Sequence, residues 1–346
     1  MVHTKEKLME RLYIDNIVKQ YFESENYYVK NGSSGMNNTT KFLVVDNEEF
    51  ILRIYESHND NEKVNYEHTV LRALGEKNLS FNIPEPKLNL NGSTIGVSTD
   101  GKLVSMAKMI KGNNPILENV EQFYSLGSIV GEITRELGEV NIKENPIYSP
   151  CYELEKSYPK CPLNKVIEFC LNPPEDFNEE KNELIDLSRY FMKFKGCIPE
   201  LRSLPHQLIH GDINASNVLE DEDNNISAVL DFEFVARDLR AMDLAICLSE
   251  AIANKNSDEF KFSCMKRFID GYKNNINLTI DEIKAVPTLI MLRRLDVIVH
   301  FLVRYNEGVS NGFMPASEIL KKQIVKATTL CKWVSKNENE IMELFM

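Results

Sequence analysis

Four polar side chains stand at intervals that let them work on one reaction. Asp212 follows His210 by two positions, Asn217 follows Asp212 by five, and Asp231 comes shortly after. An aspartate on a rigid loop can orient a substrate hydroxyl and accept its proton. An asparagine amide oxygen and a second aspartate are hard donors of the kind that hold Mg²⁺ against nucleotide phosphates. These residue types together point to phosphoryl transfer. They need a particular scaffold. Leu208 and Ile209 form an apolar lead-in to His210-Gly211-Asp212, and Val218 with Leu219 reads as a short buried strand. An acidic, Asn-containing turn over 220–225 and a returning strand over 226–230 complete a hairpin. Such a hairpin sets Asn217 and Asp231 side by side, with Asp212 on the loop before it.

The spacing His-x-Asp-x-x-x-x-Asn is that of the protein-kinase catalytic loop, and Asp231-Phe232-Glu233 stands where those enzymes have Asp-Phe-Gly. Gly211 in place of the kinase Arg, and Glu233 in place of the last Gly, make the stretch resemble the aminoglycoside phosphotransferase family. That family includes kinases of aminoglycosides, homoserine, choline and methylthioribose. The resemblance covers most of the chain. It implies an α+β, protein-kinase-like fold of two lobes. Residues 1–110 would form a small antiparallel sheet with one helix, ending in a hinge. Residues 111–346 would form a larger, mainly helical lobe with the catalytic loop and acceptor site, and ATP would bind between the lobes. ATP and Mg²⁺ are the implied cofactors and a small-molecule hydroxyl is the implied acceptor. Asp212 is then the base, His210 buttresses its loop, and Asn217 and Asp231 are the metal ligands. Glu233 either assists the metal or orients the loop.

Apolar positions at helical spacing predict a first helix over 4–24, and strands begin at Tyr27, Thr39 and Glu49. The turn between the first two strands holds Ser33 and Ser34 beside glycines, whose backbone N–H groups could cover nucleotide phosphates. In a kinase-like fold the third strand carries a phosphate-binding cation. Arg53 occupies that position, where relatives often have Lys, and the fork of an Arg is not equivalent to an ammonium. A helix over 61–77 carries Glu67 on a face that could pair with Arg53. Strands are expected over 87–90, 94–98 and 102–107. The last runs into a hinge at 106–110, with Met106, Lys108 and Ile110 as candidate contacts to the base. Helices are expected over 120–137, 182–195, 243–254, 257–273, 279–305 and 315–344, with an irregular stretch over 144–178 near the acceptor. Asp243 is expected to cap its helix and brace the catalytic loop. His300 and Trp333 read as packing residues, and Asp296, between Leu295 and Val297, reads more readily as packing than as facing an acceptor site.

Apolar residues make up 43% and charged residues 27% of the chain, as in ordinary globular proteins. A net charge of −12 argues against a nucleic-acid or anionic-membrane partner. The charged start of the chain has no apolar run after it, so no signal peptide is expected. Seven scattered cysteines without a Cys-x-x-Cys pair suit a reducing cytoplasm. Two other readings exist: an ATP-binding pseudokinase with a structural or regulatory role, and a metal-dependent hydrolase. The second lacks an independent metal motif. Among acceptors, the run of motifs is closest to homoserine- and choline-kinase-like members. The sequence does not determine the oligomeric state.

Overall fold

The computed structural model describes residues 2–24, 26–30, 38–56, 58–144, 146–253, 255, 257–309 and 314–346. The chain forms two compact units. One comprises Met1–Asn113, Val140–Ile147 and Ser227–Glu233; the other comprises Asn114–Glu139, Tyr148–Ile226 and Phe234–Met346.

The first unit opens with α1 (Val2–Tyr21), followed by β1 (Tyr27–Lys30), β2 (Asn38–Val45), β3 (Glu48–Tyr55) and α2 (Asn61–Gly75). β4 (Ile95–Val97) and β5 (Leu103–Lys108) complete an antiparallel sheet of order β1-β2-β3-β5-β4. The sheet works by strict alternation. Phe50, Leu52 and Ile54 of β3 share one face with Leu43 and Val45 of β2 and Val104 and Met106 of β5. They pack under Ile14, Ile17, Val18 and Tyr21 of α1. Each fully buried Leu or Ile there contributes roughly 1.5–3 kcal/mol. The period of two sends Arg53 to the opposite face. Its register with Thr40 and Ser105 places it on a central strand, paired on both sides. α2 starts at Asp60, whose carboxylate accepts from the N–H groups of Glu62 and Lys63.

In the second unit α3 (Val120–Glu139), α4 (Leu154–Ser157), α5 (Leu163–Leu171) and α6 (Lys181–Leu201) precede a short strand, β6 (His206–Ile209). β7 (Val218–Glu220) and β8 (Ile226–Val229) form the expected hairpin, and the chain leaves this unit within β8. β9 (Ala236–Leu239) pairs antiparallel with β6. α7 (Met242–Ala253), α8 (Asp258–Lys273), α9 (Ile280–Asn306), α10 (Ala316–Lys336) and α11 (Glu338–Glu343) follow. α3 packs along α8, and α9 along α7 and α10. α9 begins with a capping box. Thr279 accepts from the Glu282 N–H, and the Glu282 carboxylate accepts from the Thr279 N–H.

Three local expectations are corrected. Residues 87–90 form no strand, because the Asn89 carboxamide oxygen accepts from the Asn91 and Ser93 N–H groups and folds the segment into a turn. The stretch 144–178 is not irregular throughout. It holds α5, which buries Leu163, Val166 and Cys170. The last helix is broken at Asn337, whose side chain donates to the Trp333 carbonyl while its backbone leaves helical geometry. No helix among the described residues is long and apolar enough to cross a membrane. All seven cysteines are free thiols.

Candidate active site

The stretch from His210 to Asn217 starts where β6 ends. His210 is fully buried, and its Nδ1 accepts the Asp212 N–H at 3.2 Å, so the ring proton sits on Nε2. Gly211 follows with φ +85°, and a Cβ there would lie 2.5 Å from the Phe234 carbonyl oxygen. That geometry excludes the Arg of the protein-kinase loop and any other L side chain. The loop is anchored by Asp243. One carboxylate oxygen accepts from the His210 N–H and the other from the Gly211 N–H, both at 2.8 Å. Asp243 is the second residue of α7, fully buried, and it braces the loop instead of capping the helix. Burial raises its pKa, partly offset by His210 and by these two hydrogen bonds.

Asp212 presents its carboxylate between two partners. Asn217 Nδ2 donates to Oδ2 at 2.9 Å and to the Asp212 carbonyl at 3.0 Å. The Asn217 amide oxygen accepts the Ser216 hydroxyl at 3.4 Å. Arg293 of α9 meets Oδ1 through Nη2 at 2.6 Å. Asn114 holds the far end of the loop, donating to the carbonyls of Ala215, Ser216 and Val218.

Around Arg293 lies a group of charges that the motif does not contain. Glu250 Oε1 is 3.6 Å from its Nε and Asp296 Oδ2 is 3.9 Å from its Nη1. Burial works against ionisation of Glu250, but Arg294 and Arg293 outweigh it and hold the carboxyl at about 2. Asp296 is pushed up by burial, opposed by Arg293 and by the Tyr158 hydroxyl, which donates to Oδ1 at 3.0 Å. Asp296 therefore faces a charged, partly open group, although its sequence surroundings read as packing. His300 does pack, edge-on against Phe301 and Tyr158.

The first unit carries a second polar centre. Arg53 Nη1 donates to Glu67 Oε1 at 3.1 Å, and Nη2 pairs with Asp231 Oδ1 at 2.9 Å. The Glu67 carboxyl, buried against the Tyr55 hydroxyl, is pushed up to about 7 chiefly by burial, with Arg53 opposing. Asp231 sits at φ +61°, a left-handed conformation that costs a non-glycine residue energy. Its Oδ1 is buried and, despite the ion pair, has no aligned hydrogen bond. A hard cation would satisfy such an oxygen. Glu233 accepts from the Asn38 side chain at 2.8 Å.

The structure thus groups Arg53, Glu67 and Asp231 in one unit, and His210, Asp212 and Asn217 in the other. Ser33 and Ser34 lie outside the described residues. Met106 is buried in the sheet core, and its carbonyl accepts the Lys87 N–H at 2.7 Å. Lys108 closes β5 with its ammonium 3.4 Å from Glu48, and Ile110 lies in the segment beyond, half-buried. Arg293, Glu250 and Asn114 carried no sequence signal. Their helices offer many charged positions, and only tertiary packing selects these.

The model of the phosphotransferase enzyme family matches residues 29–276. A homoserine kinase of Zymomonas mobilis subsp. mobilis is 26% identical over 76% of this chain and 76% of its own length. A homoserine kinase of Methylobacillus flagellatus is 24% identical over 80% of this chain and 78% of its own. Among solved structures, a microcompartment-associated aminopropanol kinase superposes with TM-score 0.67 at 16% identity, covering 94% of this chain and 97% of that one. The amicoumacin kinase hAmiN, solved in complex with AMP-PNP, Ca²⁺ and Ami, gives TM-score 0.67 at 15% identity, covering 94% of this chain and 95% of that one.

Proposed function

Because this chain belongs to the phosphotransferase enzyme family and is a small-molecule kinase acting on a hydroxyl, we propose that it moves the γ-phosphoryl group of ATP to an amino alcohol, amino sugar or sugar, with homoserine- and choline-like acceptors preferred. The observation that carries the reading is the fixed position of Asp212. The buried Asp243 tethers the loop, the His210 ring supports it, and Asn217 grips the carboxylate. A base held this way acts mainly by positioning.

In this reading Asp212 orients the acceptor hydroxyl and takes its proton as the hydroxyl oxygen bonds to the γ-phosphorus and the bond to the leaving ADP breaks. Arg53, oriented by Glu67, steadies the nucleotide phosphates, and residues 1–110 form the nucleotide-binding part. Mg²⁺, held by Asn217 and Asp231, would neutralise charge on those phosphates. The adenine edge is assigned to backbone groups in 106–110. The seven free thiols agree with a cytoplasmic location. Intact Asp212, Asn217 and Asp231 leave the pseudokinase reading without support.

A coupled ADP-release assay with Mg²⁺-ATP against homoserine, choline, ethanolamine, methylthioribose and aminoglycosides tests the proposal. Asp212→Asn should lower turnover at least a thousandfold while nucleotide binding, read by calorimetry, stays within threefold. Retained turnover in that variant would remove Asp212 as the base.

A further inference from the structure

Two adjacent arginines on α9 are used very differently. Arg294 is fully committed to the scaffold: Nε donates to the Ser249 hydroxyl at 3.0 Å and Nη2 to the Ser249 carbonyl at 2.9 Å, with Glu250 Oε2 2.7 Å from Nη2. Arg293 is not. Its one short bond goes to Asp212, its Nε is buried without a hydrogen-bond partner, and its Nη1 is no nearer than 3.9 Å to Asp296. A guanidinium offers five donors in a planar fork that fits a carboxylate bidentately. The neighbouring carboxylates do not use that fork well. Glu250 faces it at 3.6 Å but is tied to Arg294, and Asp296 is tied to the Tyr158 hydroxyl. The side chains of Arg293, Asp212 and Asp296 are all partly open to solvent.

We propose that Arg293 selects the acceptor by taking its carboxylate, so that the substrate is an amino-acid alcohol and not a simple amino alcohol. This rests on the kinase reading above and narrows its acceptor class. The carboxylate docks on the underused edge of the guanidinium, which draws Arg293 off Asp212 Oδ1 and frees that oxygen to accept the hydroxyl proton. The substrate ammonium is met by Asp296, whose side chain is partly open and whose carboxylate is not tied to Arg294. An acceptor without a carboxylate leaves Arg293 on Asp212, and the base stays blocked.

The test compares homoserine with its decarboxylated analogue 3-aminopropan-1-ol and its deaminated analogue 4-hydroxybutanoate. It uses the full chain, reading ADP release and, separately, calorimetric binding in the presence of a non-hydrolysable ATP analogue. The expected result is kcat/KM and affinity at least tenfold higher for homoserine than for 3-aminopropan-1-ol. In Arg293→Lys, which keeps the charge but loses the fork, that ratio should shrink at least tenfold, with the loss mostly in KM. Equal use of the two compounds by the wild type, or a variant that lowers both alike and leaves their ratio unchanged, would overturn the proposal. If no acceptor released ADP the kinase reading would fail, and the binding ratio would still decide the role of Arg293.

Discussion

Asp238 is a carboxylate only 4% exposed, held by the N–H groups of Cys151 and Leu239 and by the Cys151 thiol. Burial pushes its pKa to about 6, and the hydrogen bonds only partly offset this. The unfolded chain gives up this proton near the ordinary value of 3.8, whereas the folded protein keeps it to about 6. Stability therefore falls as pH rises through that window and levels off above it, by up to about 3 kcal/mol. Thermal scans from pH 4 to 8 should show the melting temperature of the wild type dropping relative to that of Asp238→Asn up to about pH 6, with a constant gap beyond. A gap that does not change with pH would refute the assignment. Glu250 has the opposite sign. Its lowered pKa supplies stability that is lost only as pH falls from about 4.5 toward 2. Neither shift was legible in the sequence, since both arise from burial by distant elements. The Arg53–Glu67 pair was legible, because a strand period and a helix face each locate one partner. The Arg293–Asp212 pair spans 81 positions and left no such trace.

At the scale of elements, α3 and α8 of the second unit pack closely along each other, and glycines allow it. A Cβ on Gly127 would lie 1.9 Å from the Phe268 carbonyl oxygen, and one on Gly271 would lie 2.2 Å from that of Tyr124. Neither neighbour is a side chain that could turn aside. Gly127→Ala should cost about 3 kcal/mol in urea unfolding, as overpacking does. Gly196, exposed in α6 with nothing near its Cβ position, is the control. Its Ala variant should gain about 0.5–1 kcal/mol from helix propensity. A neutral Gly127→Ala would mean the helices can separate without loss. The helices themselves were read well from apolar periodicity and from caps such as Thr279. The β6–β9 pair was missed, because four-residue strands separated by the catalytic loop carry too little pattern. α5 was hidden among prolines that bound it instead of interrupting it.

For the whole molecule, the motif spacing placed the chain among kinase-like folds, and the matching neighbours share that fold. The discontinuity of the first unit is what spacing could not reveal. Asn82 exchanges backbone hydrogen bonds with Ser227 and Val229, at 2.8 and 2.9 Å, across 145 positions. A fragment of residues 1–113 lacks those strand residues and Asp231, the partner that Arg53 meets in the sheet's polar face. It should give no cooperative melt by circular dichroism, whereas the full chain does. A cooperative melt in the fragment would show that the returning segment adds nothing to that unit's stability.

The same discontinuity sets an order of events during synthesis. The residues that open the first unit leave the ribosome early, but its closing segment, Ser227–Glu233, is made only after nearly half of the second unit. At translation speeds of about 5–20 residues per second, the nascent sheet waits on the order of ten seconds for it. Through that interval Arg53 has Glu67 but not Asp231. The sheet's polar face is therefore finished late, and the nascent chain must stay free of wrong partners until then.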